Sequence, residues 1–305
     1  MPKYSTEQCL MQGRLLAPEL LGNLSESLID EADAVLQTRF ANEQYLFFRQ
    51  VFDRQAIEAV REEVFGRLLS VVEVEAPASD GVFTGVSHRE SVKEGLGEFW
   101  RSVSNGQALR NVSHGSIAKD LLGRILGVPA VAHDYMFLRP AVPGRSTHLH
   151  YDHPFFARGS SQIVTAWTAY GDIPVNEGPL LVVDQSHRFD DLVAASQAVD
   201  YESNESPLVQ LMQDPAELAR QRGVKLKTAD FRAGDLIVFS MTLLHGSLDN
   251  CSQEGRIRLS SDVRWQPEAD PVDPRYVGND PPGTTGAGYG ELNGAKPLTI
   301  NWHQR

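Results

Sequence analysis

The sequence predicts a mainly β fold with flanking helices, an antiparallel sandwich or barrel of strands. Three observations carry this. Apolar residues recur at helical spacing between about residues 20 and 126. From about Ala130 to 267, short β-rich runs alternate with turn signals. No linker divides the 305 residues into two cores, so 1–305 is expected to be one domain, with a loop-rich segment at 268–305. The N-terminal helices carry too little apolar mass to stand alone. They are expected to buttress the sheet from outside.

The elements follow in order. Residues 23–40 place Leu24, Leu28, Ala32, Val35 and Leu36 at helical spacing and predict a first helix. A short apolar segment, Tyr45 to Phe48, follows. Asp53 reads as the N-cap of a helix over 54–69 with Ile57, Val60, Val64 and Leu68 on one stripe. Residues 73–96 mix Gly, Ser and charges and predict a loop. Ser116 to Leu126 predicts a third helix with Ile117, Leu121, Leu122 and Ile125 inward. The strand-like runs are AHDYMFLRP, THLHYD, SSQIVTAWTAYGDI, PLLVVDQSH, VKLKTADF, LIVFSMTLLHGS and IRLSSDVRWQP, with a polar helical insert over 190–222. Residues 266–296, rich in Pro, Gly, Asn and Asp, read as a long surface or lid segment.

Composition excludes several functions. With 28 basic and 40 acidic side chains the net charge is −12. That argues against nucleic acid and against an anionic membrane surface, both of which need a basic face. No apolar run approaches the roughly 18 residues of a membrane span, and the start MPKYSTEQCLMQGRLL lacks the apolar stretch of a secretory leader. Two cysteines, Cys9 and Cys251, make no disulfide framework; a reducing, cytoplasmic location is expected. The terminal WHQR is not a peroxisomal tripeptide of the S-K-L kind. The sequence contains no H-E-x-x-H, no G-x-S-x-G and no P-loop, and GAGYG at 286–290 lacks dinucleotide-loop spacing.

Nine histidines remain as the polar chemistry. The densest cluster is Thr147-His148-Leu149-His150-Tyr151-Asp152-His153. In a strand, alternate residues share a face, so His148, His150 and Asp152 would point the same way. His150 and Asp152 form an H-x-D pair able to place an imidazole and a carboxylate on one metal. A non-haem Fe(II) site needs one further histidine and open positions. His245, closing the apolar run LIVFSMTLLHGS, is the better candidate, and His187 in DQSHR competes. An H-x-D tripeptide alone has little specificity. The later strand Arg256-Ile257-Arg258-Leu259-Ser260-Ser261-Asp262-Val263-Arg264-Trp265 adds weight: Arg256, Arg258, Ser260, Asp262 and Arg264 share one face. So polar a face suits a cavity that holds an anion, since lone buried charges are costly and arginine grips carboxylates.

The order H-x-D, then GPLLVVDQSH, then AGDLIVFS with H-G-S-x-x-N, then RIRLSSDVRW resembles the phytanoyl-CoA dioxygenase family of Fe(II)- and 2-oxoglutarate-dependent oxygenases. The likeness spans roughly 40–267 and is densest in 130–265. It implies a double-stranded β-helix, or jelly roll, and His150, Asp152 and His245 as iron ligands. The family pattern H-x-S-x-x-N-x-S, three residues, then Arg is filled by His245, Ser247, Asn250, Ser252 and Arg256. The resemblance thus implies Arg256 as the 2-oxoglutarate anchor, with Arg258, paired to Ser260 as Arg-x-Ser, as its rival. Trp167 and Ser247 resemble family residues beside the cosubstrate; an ordinary core aromatic and turn hydroxyl are the plain alternatives.

The implied reaction uses Fe(II), 2-oxoglutarate and O2, releases succinate and CO2, and hydroxylates (or desaturates) a C–H bond of a small-molecule substrate. Asp152 fills the position that a halogenase would leave vacant. The alternative is a cupin-type metalloenzyme, an isomerase or a dioxygenase without cosubstrate, which would bring more histidines and no anchoring arginine. His148 and His153 flank the pair; His148 could touch substrate, and a supporting or surface position is the plainer expectation. Ser186-His187 reads as structural, Tyr135 and Phe137 as core in preference to a cosubstrate wall, Arg139 and Arg145 as solvated loop charges with contact to an acidic substrate as the alternative, and His303 as incidental.

Overall fold

The computed structural model describes residues 9–88, 96–200, 211 and 213–283. Its strands are β1 (Leu10–Met11), β2 (Arg14–Leu15), β3 (Leu21–Asn23), β4 (Glu26–Ser27), β5 (Tyr45–Phe48), β6 (Ala130–Ala141), β7 (Val164–Ala169), β8 (Leu180–Val183), β9 (Leu226–Thr228), β10 (Leu236–Ser240), β11 (His245–Ser247) and β12 (Arg258–Pro267). The helices are α1 (Asp33–Glu43), α2 (Arg54–Leu69), α3 (Leu96–Ser104), α4 (Gln107–Ser113), α5 (Ser116–Leu126), α6 (Asp190–Gln197) and α7 (Pro215–Arg222). The GAGYG run and His303 lie outside the described residues, as do 201–210 within the polar insert and 89–95 within the expected loop.

Six strands form one sheet in the order β4-β5-β10-β7-β12-β6, and four form a second in the order β11-β8-β9-β3. Most neighbours are antiparallel; β3–β9 and β4–β5 are parallel. Strands β5, β7, β8, β10, β11 and β12 bury both faces, and their residues sort by parity. Phe47, Trp167, Ile237 and Phe239 of the larger sheet meet Leu180 and Val182 of the smaller one between the sheets. Leu46, Phe48, Ala166 and Val238 point the other way, onto Ile57, Val60, Val64 and Leu68 of α2. This is the jelly roll, with helices buttressing the larger sheet as expected. Burial of each such aliphatic side chain contributes about 1.5–3 kcal/mol.

Two local expectations hold in detail. The Asp53 side chain accepts from Ala56 N at 2.9 Å and caps α2. Helix α5 spans the expected 116–126 and ends at Gly127 in the left-handed region, φ +74°. Others do not. Residues 23–32 are not helical: Leu21–Asn23 pairs with β9, Glu26–Ser27 pairs with β5, and Leu24 enters the inter-sheet core. Strand pairing outweighs the helical spacing there, and Leu28 and Val35 are exposed. Ile117 also faces solvent. The segment after β12 is anchored as far as it is described: Tyr276 is buried, donates its hydroxyl to Phe155 O at 2.6 Å and stacks on His133.

The turn into β10 rests on Gly234. Its φ is +87°, and an added Cβ would lie 2.3 Å from the Phe52 carbonyl oxygen. Gly234→Ala is therefore expected to lower the urea-unfolding free energy by about 1–3 kcal/mol, through backbone strain and this clash.

Candidate metal centre

The site lies between the sheets where β11 meets the segment before β7. His150 and His245 exchange backbone hydrogen bonds, His150 N to His245 O at 2.9 Å and His245 N to His150 O at 3.1 Å. That bridge sets the two imidazoles side by side, ring centroids 4.3 Å apart. Only His150 of the THLHYD run is bridged in this way. The chain then turns: Asp152 has helical torsions, φ −74° and ψ −23°, and opens a short 3-10 helix over His153–Phe155. Asp152 so reaches the two histidines by a turn and not by strand alternation. The His148 side chain is outside the cluster; its carbonyl serves His150.

Among the described residues, His150, Asp152 and His245 form a buried group whose ligand atoms all lie within 4.8 Å of one another. Asp152 Oδ1 is 3.7 Å from His150 Nε2 and 3.9 Å from His245 Nε2. Each Nδ1 faces a carbonyl, His148 O at 2.8 Å and Leu243 O at 3.0 Å. A carbonyl can only accept, so the proton sits on Nδ1 and the Nε2 lone pair is aimed at the gap. Burial is the main cause that pushes His150 down to about 3 and lowers His245, so both stay neutral, as ligation requires. Burial pushes the Asp152 carboxyl up, but the surrounding charges, Arg264 first, and the Thr165 hydroxyl outweigh it and hold the group ionised. Two imidazole nitrogens and one carboxylate oxygen on one side of a gap fit Fe(II) with open positions opposite.

Around this group β12 turns a polar face inward. Arg264 Nη2 donates to Asp152 Oδ1 and Oδ2, both at 2.8 Å. Asp262 pairs with Arg139 of β6, and Arg258 with Ser260. Arg258, only 4% exposed, lines the same small pocket as His150, His245, Trp167, Ser247 and Arg139. The Ser247 hydroxyl accepts from Thr147 N at 2.8 Å. The structure does not bring Arg256 there. Its side chain is 48% exposed, pairs with Glu254 and Glu177, and lines a neighbouring cavity with Arg54 and Arg61, which Arg258 also borders. Asn250 and Ser252, which share its sequence pattern, hold the loop before β12: Asn250 Nδ2 donates to Ala141 O and Arg256 O, and Ser252 Oγ accepts from Arg256 N.

His187 lies outside the cluster, on a 3-10 turn, while Ser186 Oγ accepts from Leu244 N at 2.9 Å and fixes the approach to His245. Arg139 is not a solvated loop charge but part of the pocket wall. Thr165 was not read from the sequence. It sits two residues before Trp167 on the same strand face, which was the available signal, and donates to Asp152 Oδ2 at 2.6 Å.

The family model for phytanoyl-CoA dioxygenase matches residues 44–258. The chain belongs to the phytanoyl-CoA dioxygenase family. It is accordingly a non-haem iron, 2-oxoglutarate-dependent dioxygenase, and the two-histidine, one-carboxylate group fits a facial triad. The cupin-type alternative falls with this result. A search of curated proteins gave no match. Among solved structures, EctD from S. alaskensis, determined with 2-oxoglutarate and 5-hydroxyectoine, has a TM-score of 0.53 and 15% identity, with 92% of each chain covered. The α-ketoglutarate-dependent epimerase SnoN from nogalamycin biosynthesis has a TM-score of 0.51 and 16% identity, covering 81% of this chain and 86% of its own. The carbocyclase SnoK from the same pathway has a TM-score of 0.50 and 17% identity, covering 81% and 88%. At these identities the likeness is one of fold. No helix of the described residues is long and apolar enough to cross a membrane.

Asp152→Ala removes the one anionic ligand and strands Arg264 without its counter-charge. Fe(II) or Co(II) titration is expected to show metal binding lost, and thermal or urea unfolding of the metal-free protein a loss of about 3–5 kcal/mol.

Proposed function

We propose that the protein hydroxylates an unactivated C–H bond of a small-molecule substrate, using Fe(II) on His150, Asp152 and His245, with 2-oxoglutarate as cosubstrate. The observation that carries the reading is the buried triad with Arg258 in the same pocket. When bound, iron with 2-oxoglutarate and O2 supplies the oxidant and releases succinate and CO2. The chain supplies ligand geometry, an anion grip and a buried pocket.

Arg258 takes the role of 2-oxoglutarate anchor in this proposal, in place of Arg256. It is buried in the metal pocket beside Ser260, with its guanidinium 6.0 Å from the Trp167 ring centre. A buried guanidinium grips a distal carboxylate more strongly than an exposed one that two acids already hold. Trp167 and Ser247 flank the cosubstrate, the indole as a wall and the hydroxyl as a hydrogen-bonding group.

Arg139 and Asp262 form a charged wall of the pocket, and the reading places the substrate against it. Such a wall favours a polar metabolite over a plain hydrocarbon chain. Asp152 occupies the ligand position a halide would need, which supports hydroxylation. We read residues 1–305 as one oxygenase domain.

Two variants test the anchor and with it the function. Fe(II)-loaded protein is expected to turn 2-oxoglutarate into succinate in an O2-dependent way, even uncoupled from substrate. Arg258→Ala is expected to raise the 2-oxoglutarate KM about 10- to 100-fold, the order for losing a charge-assisted pair of about 1.5–3 kcal/mol. Arg256→Ala is expected to leave it within about two-fold, since exposed pairs contribute little. Product assays that show no succinate, or a KM that rises only in Arg256→Ala, contradict the proposal.

A further inference from the structure

We propose that Arg264, with Thr165, holds Asp152 as a one-oxygen ligand, and that Arg264 is thereby a positioning residue that keeps a metal position open for the cosubstrate. This rests on the reading of His150, Asp152 and His245 as the iron site. The two oxygens of Asp152 have different surroundings. Oδ1 is the oxygen nearest both imidazole Nε2 atoms, at 3.7 and 3.9 Å. Oδ2 receives Thr165 Oγ1 at 2.6 Å and Arg264 Nη2 at 2.8 Å.

An ionised carboxylate offers about four in-plane acceptor sites, two per oxygen. On Oδ2 both are taken. On Oδ1 one goes to Arg264, at 2.8 Å, and one is left facing the imidazoles. Asp152 therefore has a single lone pair to give. Released from these donors, the same carboxylate could close on a metal through both oxygens. It would then fill a fourth position of an octahedron in which the cosubstrate needs two and O2 a third.

Arg264 is built to stay. Its guanidinium lies between two rings, 4.7 Å from the Phe137 centroid and 4.6 Å from that of Phe156. The side chain is 3% exposed, and its Nε and Nη1 have no hydrogen-bond partner among the described residues. Its hydrogen bonds go to Asp152 alone, so the cation is committed to one ligand and not to a wider network. It projects from β12, the strand that begins with Arg258, so the carboxylate clamp and the proposed anion grip share one rigid element.

The test uses Arg264→Met, whose apolar chain fits between the two rings, with Arg264→Lys and Thr165→Val beside it, all as full-length Co(II)-loaded protein. Difference infrared spectra read the carboxylate stretches, Co(II) absorption reads coordination number, and calorimetry reads 2-oxoglutarate affinity. Arg264→Met is expected to keep Co(II), to show a narrower splitting of the carboxylate stretches, as a two-oxygen ligand does, and to bind 2-oxoglutarate about 10- to 100-fold more weakly. Arg264→Lys is expected to recover part of the wild-type splitting, and Thr165→Val to shift it less but in the same direction. Wild-type splitting and wild-type 2-oxoglutarate affinity in Arg264→Met overturn the proposal. If that variant does not fold, the same result in Thr165→Val overturns it, and a shift there supports it. A wild-type protein that binds neither Co(II) nor Fe(II) defeats the metal site itself, and this proposal with it.

Discussion

Taking a carboxylate out of water into a sandwich interior costs several kcal/mol unless a counter-charge and hydrogen bonds meet it. Asp152, 1% exposed, is met by both: Arg264 reaches each oxygen and Thr165 reaches one. The fold around the site follows from that requirement. Strand β12 must turn its polar parity inward so that Arg264 arrives at Asp152, and its apolar parity, Leu259, Val263 and Trp265, outward onto the helix-side core. Strand β7 must present Thr165 and Trp167 on the face that looks at the second sheet. The register of β12 on β7, Arg264 opposite Thr165, brings the two donors to one carboxylate.

The rest of the sandwich supplies rigidity in ordinary apolar currency. Phe239 lies against the His245 ring, centroids 4.4 Å apart, and Ser186 holds the backbone just before it. The histidines need little more: a backbone bridge fixes their spacing and two carbonyls fix their tautomers. A polar seam thus runs through a hydrophobic interior, and each of its members has a partner whose charge or lone pair it answers. Arg139–Asp262 and Arg258–Ser260 continue the seam along β12 at the metal pocket.

Much of this was legible in the sequence, for physical reasons. Period-two alternation exposes a strand's two faces, and the run from Arg258 to Arg264 is so polar on one parity that only a functional interior explains it. The expected ligand trio is the one that clusters. The reason expected for it was partly wrong, because Asp152 arrives by a helical turn that no alternation rule foresees. Arg256 lies outside the metal pocket for local reasons. Asn250 and Ser252 organise the loop around the Arg256 backbone, Glu177 and Glu254 draw its side chain outward, and β12 begins two residues later at Arg258. The first helix was overextended because Leu24 and Leu28 fit helical spacing, while the partners that pair residues 21–27 into strands, β5 and β9, are remote in the chain. The contact of Thr165 with Asp152 and the pairing of Arg139 with Asp262 depend on tertiary placement.

The central claim is that one buried trio holds Fe(II) with positions left open for 2-oxoglutarate, gripped from β12. Anaerobic visible spectroscopy tests it most directly. Adding Fe(II) and then 2-oxoglutarate to the intact protein should produce a metal-to-ligand charge-transfer band that appears only when both are present and is absent in His245→Ala. If Fe(II) and 2-oxoglutarate together give no such band in the intact protein, or if His245→Ala gives the same band, the account is contradicted.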